Sequence, residues 1–200
     1  MPAKTLYSLF KKKLRLLLTA DDIFYDEIRK TESAILESVL KVLEGLTIKD
    51  GRIVKDTTAN RILANVTRRV KSILRKSEIT KNVDEFLPNF DQVEKLNKQI
   101  YGRILETPKI PNTSAAKKLA IDQIVSGLGD IKGLETNYEI PLRRKMFEVI
   151  ETQMRFSDAV KLLEGHIVGT SPAGGHLTRY SRQIATDLLN AYDGYVNQVI

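Results

Sequence analysis

Apolar residues recur at spacings of three, four and seven along most of this 200-residue chain, and that period most restricts its fold. Such spacings collect apolar side chains on one face of a helix, whereas a half-buried strand alternates every second residue. Phe24, Ile28, Ile35, Val39, Val42, Leu43 and Leu46 form one stripe, and Ile62, Val66, Val70, Ile73 and Leu74 a second. Leu142, Met146, Val149, Ile150 and Met154 form a third, and Tyr180, Ile184, Leu188, Tyr192 and Val196 repeat at strict fours. Only six prolines interrupt the chain, and proline is the residue that helix interiors tolerate least. The expected fold is all-α, an elongated multi-helix assembly of about seven or eight helices.

One short stretch reads differently. Asp50-Gly51 lies between Ile48 and Ile53-Val54, and Asp-Gly tolerates the positive φ of a two-residue turn, so a small β-hairpin is expected near residues 48–54. Pro108 and Pro111 mark residues 106–112 as a linker between an N-terminal helical region, 1–105, and a C-terminal one, 113–200. Gly127, Gly129 and Gly133 mark a loop, as do Gly169, Pro172, Gly174 and Gly175. Asp56 suits the N-cap of a helix reaching Lys76, Thr19 and Asp22 have capping-box-like spacing, Ser157 can cap a helix ending near Gly165, and Pro141 suits a first helical turn.

Cysteine is absent, which excludes disulfides, thiol catalysis and cysteine zinc sites and fits a reducing cytoplasm. No apolar run reaches the roughly 18–20 residues of a membrane span. Lys11, Lys12 and Lys13 followed by Leu14 resemble the start of a signal peptide, but Arg15 interrupts the apolar run. The stretch is better read as an amphipathic helix with Leu6, Leu9, Phe10, Leu14 and Leu17 on its apolar side. That side either packs on the protein's own body or docks in a partner's groove.

Charge is segregated. Residues 1–20 hold Lys4, Lys11, Lys12, Lys13 and Arg15 with no acid. Residues 52–76 hold Arg52, Lys55, Arg61, Arg68, Arg69, Lys71, Arg75 and Lys76 against Asp56 alone, leaving the rest of the chain mildly acidic. Arg61, Asn65, Arg68, Ser72 and Arg75 recur at fours and threes, a polar stripe that Arg69 and Lys71 widen. The stripe is either a solvated face or a contact for nucleic-acid phosphates or an acidic protein surface. Few aromatics lie near it in the chain, so base stacking is not expected.

No catalytic, metal or cofactor site is indicated. The two histidines, His166 and His176, fit no zinc spacing, and no nucleophile-elbow pattern supports a hydrolase triad. The glycine-rich segment from Gly169 to Gly175 precedes a helix and could cradle an anion, but it lacks the Gly-Lys-Ser/Thr ending of a phosphate loop. It reads better as an interhelical loop.

The most distinctive residues come last: Leu177, Arg179, Tyr180, Gln183 and Asp187, followed by Asp193-Gly194. Gly194 inside a helix suggests close packing or a bend. In order and spacing, residues 157–200 resemble a segment of the minor head proteins of tailed phages, of the phage Mu head-morphogenesis type. The first 150 residues resemble that family only in being helical. The resemblance implies a noncatalytic virion protein near the portal vertex, assembled in the host cytoplasm and present in several copies. Its implied partners are portal and capsid proteins and packaged DNA, with no membrane and no cofactor. Tyr180, Gln183, Asp187, Asp193 and Gly194 would be its structural motif, and Arg61, Arg68, Arg69, Lys71, Arg75, Lys11, Lys12 and Lys13 its contacts. Relatives continue into a further compact region, so a longer parent chain, or a shortened relative, is expected. The alternative is a helical protein that binds nucleic-acid phosphates without sequence specificity, outside any capsid.

Overall fold

The computed structural model describes residues 3–105, 112–170 and 174–199. It is all-α and elongated apart from one two-stranded sheet. Its accessible surface is 11554 Å², against about 9,500 Å² for a compact monomer of this length. Ten α-helices occur among the described residues. They are α1 (Ala3–Thr19), α2 (Asp22–Leu43), α3 (Thr57–Lys76), α4 (Ile79–Phe86), α5 (Pro88–Ile104), α6 (Ser114–Ile124), α7 (Ile131–Leu134), α8 (Ile140–Glu151), α9 (Phe156–Ile167) and α10 (His176–Val199).

The number exceeds the expectation in part because, within residues 127–133, the chain is helical on both sides of a single extended residue, Asp130. Val125–Gly129 and Glu135–Glu139 form π-helical turns on either side of α7. A side chain at Gly133 would strike the carbonyl oxygen of Ser126, and one at Gly127 would sit 2.8 Å from Ile184 Cδ1. Here glycine lets helical turns approach one another and α10 closely, so the expected loop is instead a tight helical junction.

The hairpin forms as expected. β1 (Ile48–Lys49) pairs with β2 (Arg52–Ile53) in the register Ile48–Ile53 and Lys49–Arg52. Asp50 and Gly51 both have positive φ, 51° and 72°, as a type I′ turn requires. The Ile53 amide donates to the Met154 carbonyl at 3.0 Å, and the Phe156 amide donates to that of Gly51 at 3.0 Å. The hairpin thus clamps the turn between α8 and α9.

Local caps divide. Asp56 Oδ1 accepts the Ala59 amide at 2.8 Å at the start of α3. The Thr47 hydroxyl donates to Asp56 Oδ2 at 2.8 Å and is the main reason this carboxylate lies below its usual range. Thr19 does not cap α2, since its hydroxyl donates back to the Arg15 carbonyl at 3.0 Å. Arg155 rather than Ser157 precedes the first turn of α9.

The two regions do not form separate lobes. The linker at 106–112 lies outside the described residues except for Asn112, yet the helices on either side share one core. Phe24, Phe86, Phe90 and Tyr192 form a chain of ring contacts with centroids 5.5, 6.0 and 5.5 Å apart, joining α2, α4, α5 and α10. The buried apolar stripes of one region are covered by those of the other. Phe90 is fully buried, so Phe90→Ala should lower stability by about 3–5 kcal/mol. Urea unfolding should remain a single transition reporting on both regions. Two separate transitions would show that the two regions unfold independently despite the shared core.

Candidate polyanion-binding face

Helix α3 carries six cations and no carboxylate. Its core side, Ala59, Ile62, Val66, Val70 and Leu74, is buried, which forces the arginines to the other side. The C-terminal end of α2 lies alongside, with Gly45 close to Ile62 Cδ1. Between them opens a cleft of about 680 Å³ whose lining includes Lys41, Thr58, Arg61, Asn65, Arg68 and Arg69. No lining residue is acidic. Arg69 Nε donates to Asn65 Oδ1 at 3.4 Å, while Lys41, Arg61 and Arg68 are exposed and make no ion pair with a described residue. Guanidinium forks and an ammonium converging on an open concave surface can neutralise and hydrogen-bond a chain of oxyanions.

The rest of the stripe is engaged internally. Lys71 Nζ and Arg75 Nη2 lie 3.0 and 3.1 Å from the two carboxylate oxygens of Glu135. The Lys71 hydrogen bond, chiefly, holds Glu135 below its usual range. The predicted contact surface therefore divides into a free cleft, with Arg61, Arg68 and Arg69, and an internal clamp, with Lys71 and Arg75. Sequence spacing could not separate them, because Glu135 is supplied from 60 residues away.

Helix α1 divides in the same way. Lys11 and Lys12 are exposed. Lys13, expected as a contact, points inward: its Nζ lies 2.8 Å from Asp193 Oδ1 and donates to Asn97 Oδ1 at 2.7 Å, with only 12% of the side chain exposed. It sits on the side of α1 that also carries the half-buried Leu9, Leu16 and Leu17.

Four participants were not evident from the sequence. Lys41 comes to the cleft from α2. On another flank of α3, Arg143, Arg144 and Phe147 of α8 border an open depression with Leu63. Phe147 is half exposed, so an aromatic ring does stand beside α3 after all. Arg143 has Glu139 at 3.8 Å. The spacing of Arg143, Arg144 and Phe147 gave no signal, since the same residues suit any solvated helix face.

The C-terminal motif divides into inward and outward residues. Tyr180 is partly buried against Gly127, and Asp193 is buried, accepting from Asn97 Nδ2 at 2.8 Å. Gln183 and Asp187 are exposed on the outer side of α10. Gly194 has open space where a Cβ would stand, so close packing does not explain it.

An anion does occupy the amino end of α10, and it belongs to the protein. Glu32 of α2 accepts the Thr178 amide at 2.9 Å and the Thr178 hydroxyl at 2.8 Å. Burial raises the Glu32 carboxyl above its usual range despite these bonds. Residues 171–173, within the loop expected from Gly169 to Gly175, lie outside the described residues. The two histidines stack at 4.9 Å, and His176 Nε2 is 2.9 Å from the Asn137 carbonyl oxygen. His166 Nε2 has no hydrogen-bond partner among the described residues, and burial first, then His176 and nearby cations, pushes this histidine down to about 4. No group of three metal-binding side chains occurs among the described residues.

No protein-family model, curated protein or solved structure matches the chain.

Two expectations follow from the buried polar groups. Replacing Lys13 by Met leaves Asp193 without its cation and should cost about 3 kcal/mol in chemical denaturation. An unchanged midpoint would make the pair energetically neutral. His166 binds its proton less readily folded than unfolded, so its stabilisation is complete above about pH 6.5 and declines as pH falls toward about 4. The raised Glu32 works in the opposite direction. The difference in melting temperature between the parent protein and His166→Gln should therefore shrink or reverse across that window, and a constant difference would contradict it.

Proposed function

We propose that this chain is a noncatalytic structural protein of a tailed-phage virion, sited near the portal vertex, whose α3 cleft holds the phosphates of packaged DNA. The acid-free cleft of Lys41, Arg61, Arg68 and Arg69 carries the binding half of this reading. A concave surface with several unpaired cations is costly in self-repulsion and is relieved by a polyanion. The location and role rest on the resemblance of residues 157–200 to minor head proteins. In that setting the protein would be assembled in the host cytoplasm, in several copies, against portal and capsid subunits. The chain's pI of about 9.5 suits a polyanionic neighbour.

A second reading keeps the cleft and drops the capsid: a helical protein binding nucleic-acid phosphates without sequence specificity. The same cleft supports it, and the protein's presence in purified intact particles separates the two. Reconstruction of such particles should find it at the portal vertex. Absence from the particles would favour the second reading.

The cleft is tested by titrating duplex DNA at several salt concentrations. Affinity should fall as salt rises, by a slope of about 0.9 per phosphate neutralised. Arg61→Glu/Arg68→Glu/Arg69→Glu should weaken binding by more than about tenfold and flatten that slope. Its melting temperature should be nearly retained, because Arg61 and Arg68 hold no described partner and Arg69 makes only one long, exposed hydrogen bond, to Asn65. Lys71→Glu/Arg75→Glu should instead lower the melting temperature by repelling Glu135. DNA affinity unaffected by the triple replacement would reject the cleft.

A further inference from the structure

Helix α1 has a second apolar side that the fold leaves uncovered. Its inner side lies on α5 and α10, with half-buried Leu16 and Leu17 packed against the core and the Lys13–Asp193 pair beside them. Tyr7, Phe10, Leu14 and Leu18 are 70%, 46%, 58% and 67% exposed. With 3.6 residues per turn, these four fall in one strip about 80° wide and about three turns long. Isolated exposed apolar residues need no explanation, but an aligned row of four large ones on one helix does. Internal packing does not account for it, since Leu16 and Leu17 already serve that purpose.

The charge beside the strip identifies what covers it. Lys11 and Arg15 project along its outer edge, both exposed and without an ion pair to any described residue. The first twenty residues contain no acid to balance them. Two copies of α1 laid strip to strip would set these cations against one another if antiparallel and opposite no carboxylate if parallel, so a second copy supplies no complementary charge. The complementary surface is apolar in the middle and anionic along one edge.

We propose that this strip of α1 is the docking site for an acidic amphipathic helix of a partner protein. The partner helix lies alongside α1 for about three turns, with apolar residues at a and d positions against Tyr7, Phe10, Leu14 and Leu18. Its carboxylates face Lys11 and Arg15. The strip uses none of the cleft residues of α3, so the inference stands apart from the phosphate reading and survives its failure.

The test uses the intact protein and a fluorescent helical peptide of about four turns, with leucine at a and d and glutamate at e and g. A matching peptide with lysine at e and g, and vesicles containing phosphatidylserine, serve as rivals. The glutamate peptide should bind about tenfold or more tighter than the lysine peptide. Phe10→Ser/Leu14→Ser should abolish that binding by at least about tenfold while leaving the melting temperature and DNA affinity unchanged. Lys11→Glu/Arg15→Glu should reverse the preference between the peptides. Equal affinity for both peptides, or no binding to either, overturns the proposal. So does a dimer that Phe10→Ser/Leu14→Ser dissociates, which assigns the strip to a second copy. Preferential capture by the vesicles, lost in that same variant, assigns it to an anionic lipid surface and overturns it equally.

Discussion

A carboxylate from the middle of α2 closes the amino end of α10, and much of the tertiary arrangement depends on that contact. Glu32 is 2% exposed, and an isolated ionised carboxylate in such a place is strongly disfavoured. The amino end of a helix offers what it needs, unpaired amides and a favourable dipole, and Thr178 adds its hydroxyl. The chain before α10 must bend tightly to present that end. Gly169 and Gly174 take positive φ, and a side chain on Gly175 would collide with the Ile167 carbonyl and crowd Glu32. The glycines next to α10 therefore serve a protein carboxylate rather than a bound phosphate.

The other end of α10 is held by similar means with the charges exchanged. Asp193 on α10 receives Lys13 from α1 and Asn97 from α5. Asn197, one turn further on, accepts from the Tyr101 hydroxyl at 3.0 Å. Between these polar ties runs the aromatic chain from Phe24 to Tyr192. Buried polar networks add little net stability but strongly disfavour other pairings, because any misplacement strands a desolvated group. The last helix is in this way fixed to the first hundred residues at both ends, and the two regions share one core.

With those cations and anions used inside, the ones left outside acquire meaning. Lys71 and Arg75 clamp Glu135, whereas Arg61 and Arg68, on the same helix, face an open cleft with no carboxylate. Lys13 is consumed internally, whereas Lys11 and Arg15 border an uncovered apolar strip. The functional reading rests on this division more than on total charge. A basic cleft and a basic-edged apolar strip on separate helices suit a protein that joins a polyanion to a protein neighbour.

Sequence alone determined the local features: the main helices, the Asp50-Gly51 hairpin and the Asp56 cap. Each depends on hydrogen bonds and side-chain directions repeated within a few residues, so spacing and residue type suffice to specify them. It also determined that cations gather in two elements. Spacing misread the glycines at 127–133 as a loop, because their purpose is close approach to distant backbone and to α10. Only the tertiary structure decided which cations turn inward, since their partners lie 64 residues away for Lys71 and 84 for Lys13. It likewise decided that Glu32 fills the anion site of a helix 146 residues away and that Phe147 comes to stand beside α3. A helical period gives the direction of a side chain about its own axis but not which neighbouring helix lies in that direction. Packing of the whole core settles that, and with it which charges remain for a partner.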